Sequence, residues 1–243
     1  MSLGRTMTLK DLTDGGKAAM AEALAVLESA PDAAQTIGLL DAAFAAPRGQ
    51  VVGVTGPPGV GKSTLLGALI PKLREAGRSV GVIAVDPSSR QTGGALLGDR
   101  LRLMTDPEDE GVFVRSMAAR DRLGGLAELT VGGMLLMRAV NDVVLIETVG
   151  VGQSETDVAW VADTVIFCMQ PGSGDSLQFM KAGIMEIPDL AVVTKADMEA
   201  AQRSKADLRA ALAHQRRNDG WSVPILPLSA QKGTGIAPLV SAI

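Results

Sequence analysis

Nine consecutive residues, Gly56-Pro57-Pro58-Gly59-Val60-Gly61-Lys62-Ser63-Thr64, constrain this chain more than any other stretch. They fit the pattern G-x-x-x-x-G-K-[ST], and their flanks are the ones that pattern needs. Residues 50–55 before them read as a buried strand, and residues 65–70 after them as the first turns of a helix. Glycines allow successive backbone N–H groups to aim at one anion, and the helix N-terminus adds the positive end of its dipole. Lys62 is then expected to reach the β- and γ-phosphates, and the Ser63 hydroxyl to take one position on Mg²⁺. All nine residues enter the expected binding site for a nucleoside triphosphate.

Composition narrows the partners. The 243 residues are 47% hydrophobic and 21% charged, enough for one globular core with an extension. A formal charge of −4 gives no electrostatic case for nucleic acid or an anionic membrane, and 2% aromatic content leaves little for base stacking. The single cysteine, Cys168, lies among Val165, Ile166, Phe167 and Met169, which predicts an inert buried thiol in a reducing compartment. No apolar run is long enough to cross a bilayer, and the first five residues lack a signal-peptide core; a soluble, cytoplasmic protein is expected.

The chain divides into an N-terminal helical extension, 1–46, and a nucleotide-binding domain, 47–243. In the extension Met20, Leu24 and Leu27, then Ile37, Leu40 and Phe44, recur at helical spacing and predict two short amphipathic helices. Thr13-Asp14 and Asp32 are expected cap or turn positions. Beyond Pro47 the pattern becomes strand, loop, helix. Short β-branched runs at 80–85, 142–146, 164–168 and 190–193 suit strands buried on both faces. Residues 223–228, with two prolines, read as a last strand at a sheet edge, and 112–114 as a weaker one of antiparallel sense. The expected fold is a three-layer α/β P-loop domain, a mostly parallel sheet flanked by helices, with its ligand at the carboxyl ends of the strands.

Polar groups after those strands each suit one task around a nucleotide. Asp86, followed by Gly93-Gly94 and Gly98-Asp99-Arg100, offers acids for a hard cation, so Asp86 or Asp99 is a candidate metal ligand; Asp86 could instead cap the following segment. The paired glycines predict a switch loop ordered by γ-phosphate and metal. Glu147 ends an apolar strand, where burial is costly without a cation, and Mg²⁺ is the obvious one. Gly150 would offer its N–H to the γ-phosphate. Thr194-Lys195-Ala196-Asp197 follows the 190–193 strand: a carboxylate at Asp197 can accept from N1–H and N2–H₂ of guanine, and adenine has no matching donor pair. Ser229, Ala230 and Gln231 open the loop that closes over the base. The lone His214 sits near a basic helix end and reads as a surface residue.

Together these residues resemble the methylmalonyl-CoA mutase-associated GTPases (MeaB/ArgK type, also labelled lysine/arginine/ornithine transport ATPases), P-loop GTPases in which a glutamate replaces the usual aspartate after the third strand. The resemblance spans roughly 20–243. It rests on Asp86-Pro87-Ser88-Ser89, Gly93-Gly94 to Gly98-Asp99-Arg100, Glu147 through Glu155, and Pro171-Gly172-Ser173-Gly174-Asp175 leading to Gln178 and Lys181. It implies a GTP-hydrolysing chaperone that gates cofactor delivery to an adenosylcobalamin-dependent mutase, with the 171–181 segment sensing that partner. Three departures stand out. Thr194 replaces the usual Asn, which predicts a shorter or missing contact to the base and phosphate loop. Leu101 stands where a threonine is common. The chain ends at Ile243, before the helical arm that helps such proteins dimerise, which leaves the implied homodimer open.

The expected reaction is hydrolysis of GTP to GDP and phosphate, in which positioning and charge stabilisation outweigh covalent chemistry. Lys62, Asp99, Glu147 and Gly150 are the expected catalytic set, and Ser63, Asp86, Asp99 and Glu147 the metal set. Val151 follows Gly150, so the water-orienting Gln of some GTPases is absent there; Gln153 and Asp99 remain candidates. One rival is a maturation GTPase for nickel enzymes, which would need the Cys and His ligands this chain almost lacks. Others are an ATP-dependent small-molecule or transport-associated kinase, and a nucleotide-binding module without turnover.

Overall fold

Strands that are apolar on both faces can be stable only between two covering layers, and the chain folds accordingly. The computed structural model describes residues 6–86, 105–118, 128–148, 157–172, 186–213 and 220–243, the side chains of Asp86 and Ala118 excepted. Seven strands are defined among them: β1 (Gln50–Thr55), β2 (Val80–Asp86), β3 (Val112–Ala118), β4 (Val143–Glu147), β5 (Thr164–Met169), β6 (Leu190–Val193) and β7 (Ile225–Pro227). They form one sheet in the order β3-β2-β4-β1-β5-β6-β7. Every pairing is parallel, so all seven carboxyl ends open on the same edge.

Alternate side chains along each strand enter different layers. Val52, Val54, Val82, Leu145 and Ile166 point to one face, where α4 (Lys62–Glu75) and α7 (Ile236–Ala242) cover them. Leu65, Leu66, Leu69 and Leu73 of α4 are fully buried there. Each stabilises the fold by about 1.5–3 kcal/mol relative to exposure. Val51, Ile83, Val144 and Ile146 point to the other face, against α1 (Leu9–Asp14), α2 (Gly16–Ser29), α3 (Ala34–Ala45) and α5 (Glu128–Val140). Phe167, Ala191 and Val193 continue that face under α6 (Ala201–Ala213). A 3-10 turn at Val158–Trp160 rests directly on β1, since a Cβ at Gly53 would lie 2.4 Å from Val158 Cγ2.

Three local expectations are corrected. The 112–114 run becomes β3, and it is parallel to β2, with Val80 opposite Val112 and Asp86 opposite Ala118. A parallel return needs a crossover of about a dozen residues or more, and the 87–111 connection supplies them. Arg74 fixes where β3 begins: its Nε and Nη2 donate to Asp109 at 2.9 and 2.8 Å, and its Nη1 to the Arg78 carbonyl at 2.8 Å.

The extension holds three helices instead of two. The extra one, α1, is nucleated by a capping box: Asp11 N–H donates to Thr8 Oγ1 at 3.2 Å, and Thr8 N–H to Asp11 Oδ2 at 3.0 Å. Thr13 and Asp14 therefore lie inside a helix, which stops at Gly15. The buried stripe of α3 also differs from the expected one. Thr36, Leu39 and Ala43 are buried, whereas Ile37 and Phe44 are 47% and 72% exposed. A Cβ at Gly132 of α5 would lie 3.0 Å from Leu27 of α2 and 3.6 Å from Leu40 of α3, and one at Gly133 3.0 Å from Met117 of β3. Helix α5 thus packs closely on α2 and β3, while Leu40, the one partly buried member of the expected stripe, reaches it from α3.

Candidate nucleotide site

The phosphate loop is shaped by glycines with no alternative. Gly56 has φ 137°, and a Cβ there would sit 2.3 Å from the Cys168 carbonyl oxygen of the adjacent strand. Gly61, at φ 99°, is the left-handed residue that turns the loop into α4. Lys62 is the first residue of α4 and is buried; its Nζ donates to the carbonyls of Gly56 at 2.7 Å and Pro57 at 3.0 Å. Val60 is buried, while Pro58, Gly59 and Thr64 are exposed along the rim.

β4 lies beside β1 and delivers Glu147, its last residue, to the same crevice, 1% exposed. Ser63 Oγ donates to Glu147 Oε1 at 2.6 Å, the length of a charge-assisted hydrogen bond. A hydroxyl and a carboxylate converging here are hard oxygen donors of the kind Mg²⁺ selects, so the donor set fits that ion. Cys168 reports the field of the crevice. Burial pushes its thiol up to about 12, with Lys62 pulling down and Glu147 pushing up, which leaves it the inert thiol expected.

β6 brings the third group. Thr194 is buried; its Oγ1 donates to the Val60 carbonyl at 2.7 Å and to Met169 O at 3.1 Å, and its N–H to Met169 O at 2.8 Å. Of the contact expected to be shorter or missing, the part to the phosphate loop is present: a threonine hydroxyl is long enough because the two loops come together. Lys195 follows at φ 49°, the one non-glycine residue with positive φ among those described. Its Nζ donates to Gly59 O at 3.3 Å and to Gln170 Oε1. Asp197 is held below the usual carboxylate range by the Ser229 hydroxyl first, then by its own backbone N–H and by Lys232, whose Nζ is 3.6 Å away. Ser229 is buried and bridges Thr234, closing the turn that carries Ala230 and Gln231.

The fold therefore gathers the 56–64 loop, Glu147, Thr194, Lys195, Asp197 and Ser229 at one edge of the sheet. Asp99, Gly150 and Gln153, along with Leu101, Asp175, Gln178, Lys181 and His214, lie outside the described residues, and Asp86 is located by its backbone at the end of β2. Two contributors were absent from the expected set. Lys232 pairs with the Asp197 carboxylate, and Gln170 holds Lys195. Gln170 carried a signal: it is a polar residue directly after the apolar strand β5, the same feature that singled out Glu147. Among the described residues no cluster of three His, Cys, Asp or Glu side chains could hold a metal, and no helix is long and apolar enough to cross a membrane.

Comparison with known proteins bears on the family and the fold. Two proteins of Pyrococcus abyssi and Pyrococcus horikoshii are 49% identical over 193 residues, 78% of this chain, and the chain spans only 60% and 61% of their lengths. The GTPase ArgK of Escherichia coli is 39% identical over 97% of this chain and 74% of its own length. The mouse protein named methylmalonic aciduria type A homolog, mitochondrial, is 37% identical over 94% of this chain and 59% of its own. Among solved structures, an LAO/AO transport system kinase superposes with a TM-score of 0.77 at 33% identity, covering 96% of this chain and 72% of that one. The nickel-bound HypB of Helicobacter pylori, at 18% identity and a TM-score of 0.61 over 80% of this chain and 85% of that one, shares the fold. A family model described as "Methylmalonyl Co-A mutase-associated GTPase MeaB" matches residues 20–243. The chain belongs to the family of MeaB-type, methylmalonyl-CoA mutase-associated GTPases.

Proposed function

We propose that this chain binds GTP and hydrolyses it to GDP and phosphate, and that it serves as a G-protein chaperone for an adenosylcobalamin-dependent mutase of the methylmalonyl-CoA mutase type. One observation carries the nucleotide reading: a phosphate loop, a partly buried hydroxyl–carboxylate pair and a charged Asp197 stand along one edge of a parallel sheet. The family assignment, and the mutase named in the family's description, support the partner.

In this reading the backbone N–H groups of residues 59–63 and the Lys62 ammonium take the phosphates. Lys62 exchanges its two backbone carbonyl acceptors for phosphate oxygens, a stronger charge-assisted pairing. Ser63 and Glu147 would hold Mg²⁺, with Asp86 and Asp99 as further acids from the sequence; when bound, the ion would help to neutralise the charge of the phosphates. Asp197, kept ionised by Ser229 and Lys232, accepts from the guanine N1–H and N2–H₂ edge. Thr194 holds the base-reading loop against the phosphate loop, so both ends of the nucleotide meet one rigid unit. Gly150, and either Asp99 or Gln153 at the attacking water, complete the set.

The test is a GTPase assay with and without such a mutase. A slow basal rate that the mutase raises is expected. Turnover of ATP equal to that of GTP would overturn the guanine assignment, and a rate indifferent to the mutase would overturn the partner.

A further inference from the structure

Gln170 is the first residue beyond β5, and no role follows for it from the phosphate-loop or base-reading motifs. Its position is nonetheless central. The preceding carbonyl, Met169 O, accepts both the N–H and the hydroxyl of Thr194. Its own side-chain oxygen accepts from Lys195 Nζ, which also donates to Gly59 O in the phosphate loop. Three loops, those after β1, β5 and β6, are therefore joined through two adjacent side chains of one of them.

Lys195 is the joint under most strain. A non-glycine residue at φ 49° is disfavoured, and the position holds because its neighbours fix the backbone. Thr194 N–H donates to Met169 O, Ala196 N–H to Leu228 O at 2.9 Å, and Met198 N–H to Lys195 O at 3.0 Å. That backbone directs the lysine stem across the phosphate loop. A lysine side chain left to itself samples many rotamers, and ordering it costs free energy on binding. The Gln170 carbonyl restrains its end in advance, at a point where Gly59 O alone, at 3.3 Å, is a weak second acceptor.

We infer that Gln170 is a positioning residue for guanine nucleotide: by holding Lys195 across the phosphate loop it sets how long GDP stays bound. This rests on the nucleotide reading above. The role needs an acceptor of glutamine's length. Gln170→Leu removes the acceptor at similar volume, whereas Gln170→Glu keeps it and adds charge complementary to the ammonium.

The experiment follows release of a fluorescent N-methylanthraniloyl-GDP, chased with excess GDP, from the full chain and its variants, with thermal melting as a control on folding. Release from Gln170→Leu is expected to be about fivefold faster, the loss of one partly exposed hydrogen bond to a charged group. Gln170→Glu restores the unmutated rate or slows it further, a rescue that simple packing would not give. In a Lys195→Met background Gln170→Leu adds less than about twofold, because the two residues act through one contact. Unchanged release in Gln170→Leu, or an equal effect with and without Lys195, overturns the inference while leaving the nucleotide site standing. Failure of the unmutated chain to retain the probe overturns the nucleotide reading, and the inference falls with it.

Discussion

Thr194→Val isolates one contact between the two halves of the nucleotide site. Valine matches threonine in shape, so no cavity opens, and only the hydroxyl is lost. Two carbonyls accept from that hydroxyl, but they are not equally affected. Met169 O keeps the Thr194 N–H at 2.8 Å, so the loss falls on Val60 O, in a residue 1% exposed. Losing the partner of one buried acceptor costs about 1–2 kcal/mol. For a chain of this size that is a drop of roughly 2–4 °C in melting temperature. Whatever ordering of the phosphate loop the contact supplied must then be supplied by the ligand, so GTP affinity falls by up to about tenfold. Melting followed by circular dichroism, with equilibrium titration of a fluorescent GTP analogue, measures both. Thr194→Ser keeps the hydroxyl and should lose less affinity than the valine variant. A valine variant with unchanged melting temperature and affinity would refute the claim that this hydroxyl joins the loops.

Asp197→Asn should exchange GTP for xanthosine triphosphate, because the amide donates where the carboxylate accepted; competition binding checks it, and retained GTP preference counts against Asp197 as base reader. Lys62→Ala should abolish turnover and most triphosphate affinity, since Lys62 is the buried cation of the loop; a variant that still hydrolyses GTP at the unmutated rate would remove it from the site. Glu147→Ala should raise the Mg²⁺ concentration needed for half-maximal turnover, and an unchanged half-point in an Mg²⁺ titration would exclude it from the metal shell. Asp197 is depressed chiefly by Ser229, so its charge is present above the ordinary carboxyl pKa and is lost only as pH falls through a still lower value. The ratio of GTP to ATP affinity should therefore stay flat from pH 8 to pH 5; a midpoint inside that window would show another group titrating.

Much of the site could be read from the chain because its parts are local. The phosphate loop needs glycines next to one another, and Glu147 and Asp197 declare themselves as charges at the ends of apolar runs. What could not be read depends on neighbours distant in sequence. The sense of β3 follows from its pairing with β2, and the inward face of α3 from what it meets on the other helices of that layer. An Ile-Leu-Phe stripe has the right period for a core, yet α3 buries Thr36, Leu39 and Ala43 and leaves Ile37 and Phe44 exposed. Threonine is shorter than asparagine, but the distance Thr194 has to span is set by how near β6 and the phosphate loop settle.

The parallel sheet also bears on how the protein is made. β1 lies between β4 and β5, so during synthesis it waits for residues 143–147 and 164–169 before either neighbour exists. Until α5 emerges, Met20, Leu24 and Leu27 of α2 have no partner face on that helix. Such long-range closure is slow, and it leaves apolar surface open to the ribosome's surroundings and to holdase chaperones. Asp197 and Ser229 come later still, from the last quarter of the chain. In the proposed reading guanine nucleotide is then a late ligand, recognised only once Asp197 and Ser229 are in place, and by mass action it draws chains that have passed Ser229 toward the native state. Nascent chains halted before β6 should stay chaperone-bound whatever the GTP concentration, while chains that extend beyond Ser229 should be released faster as it rises.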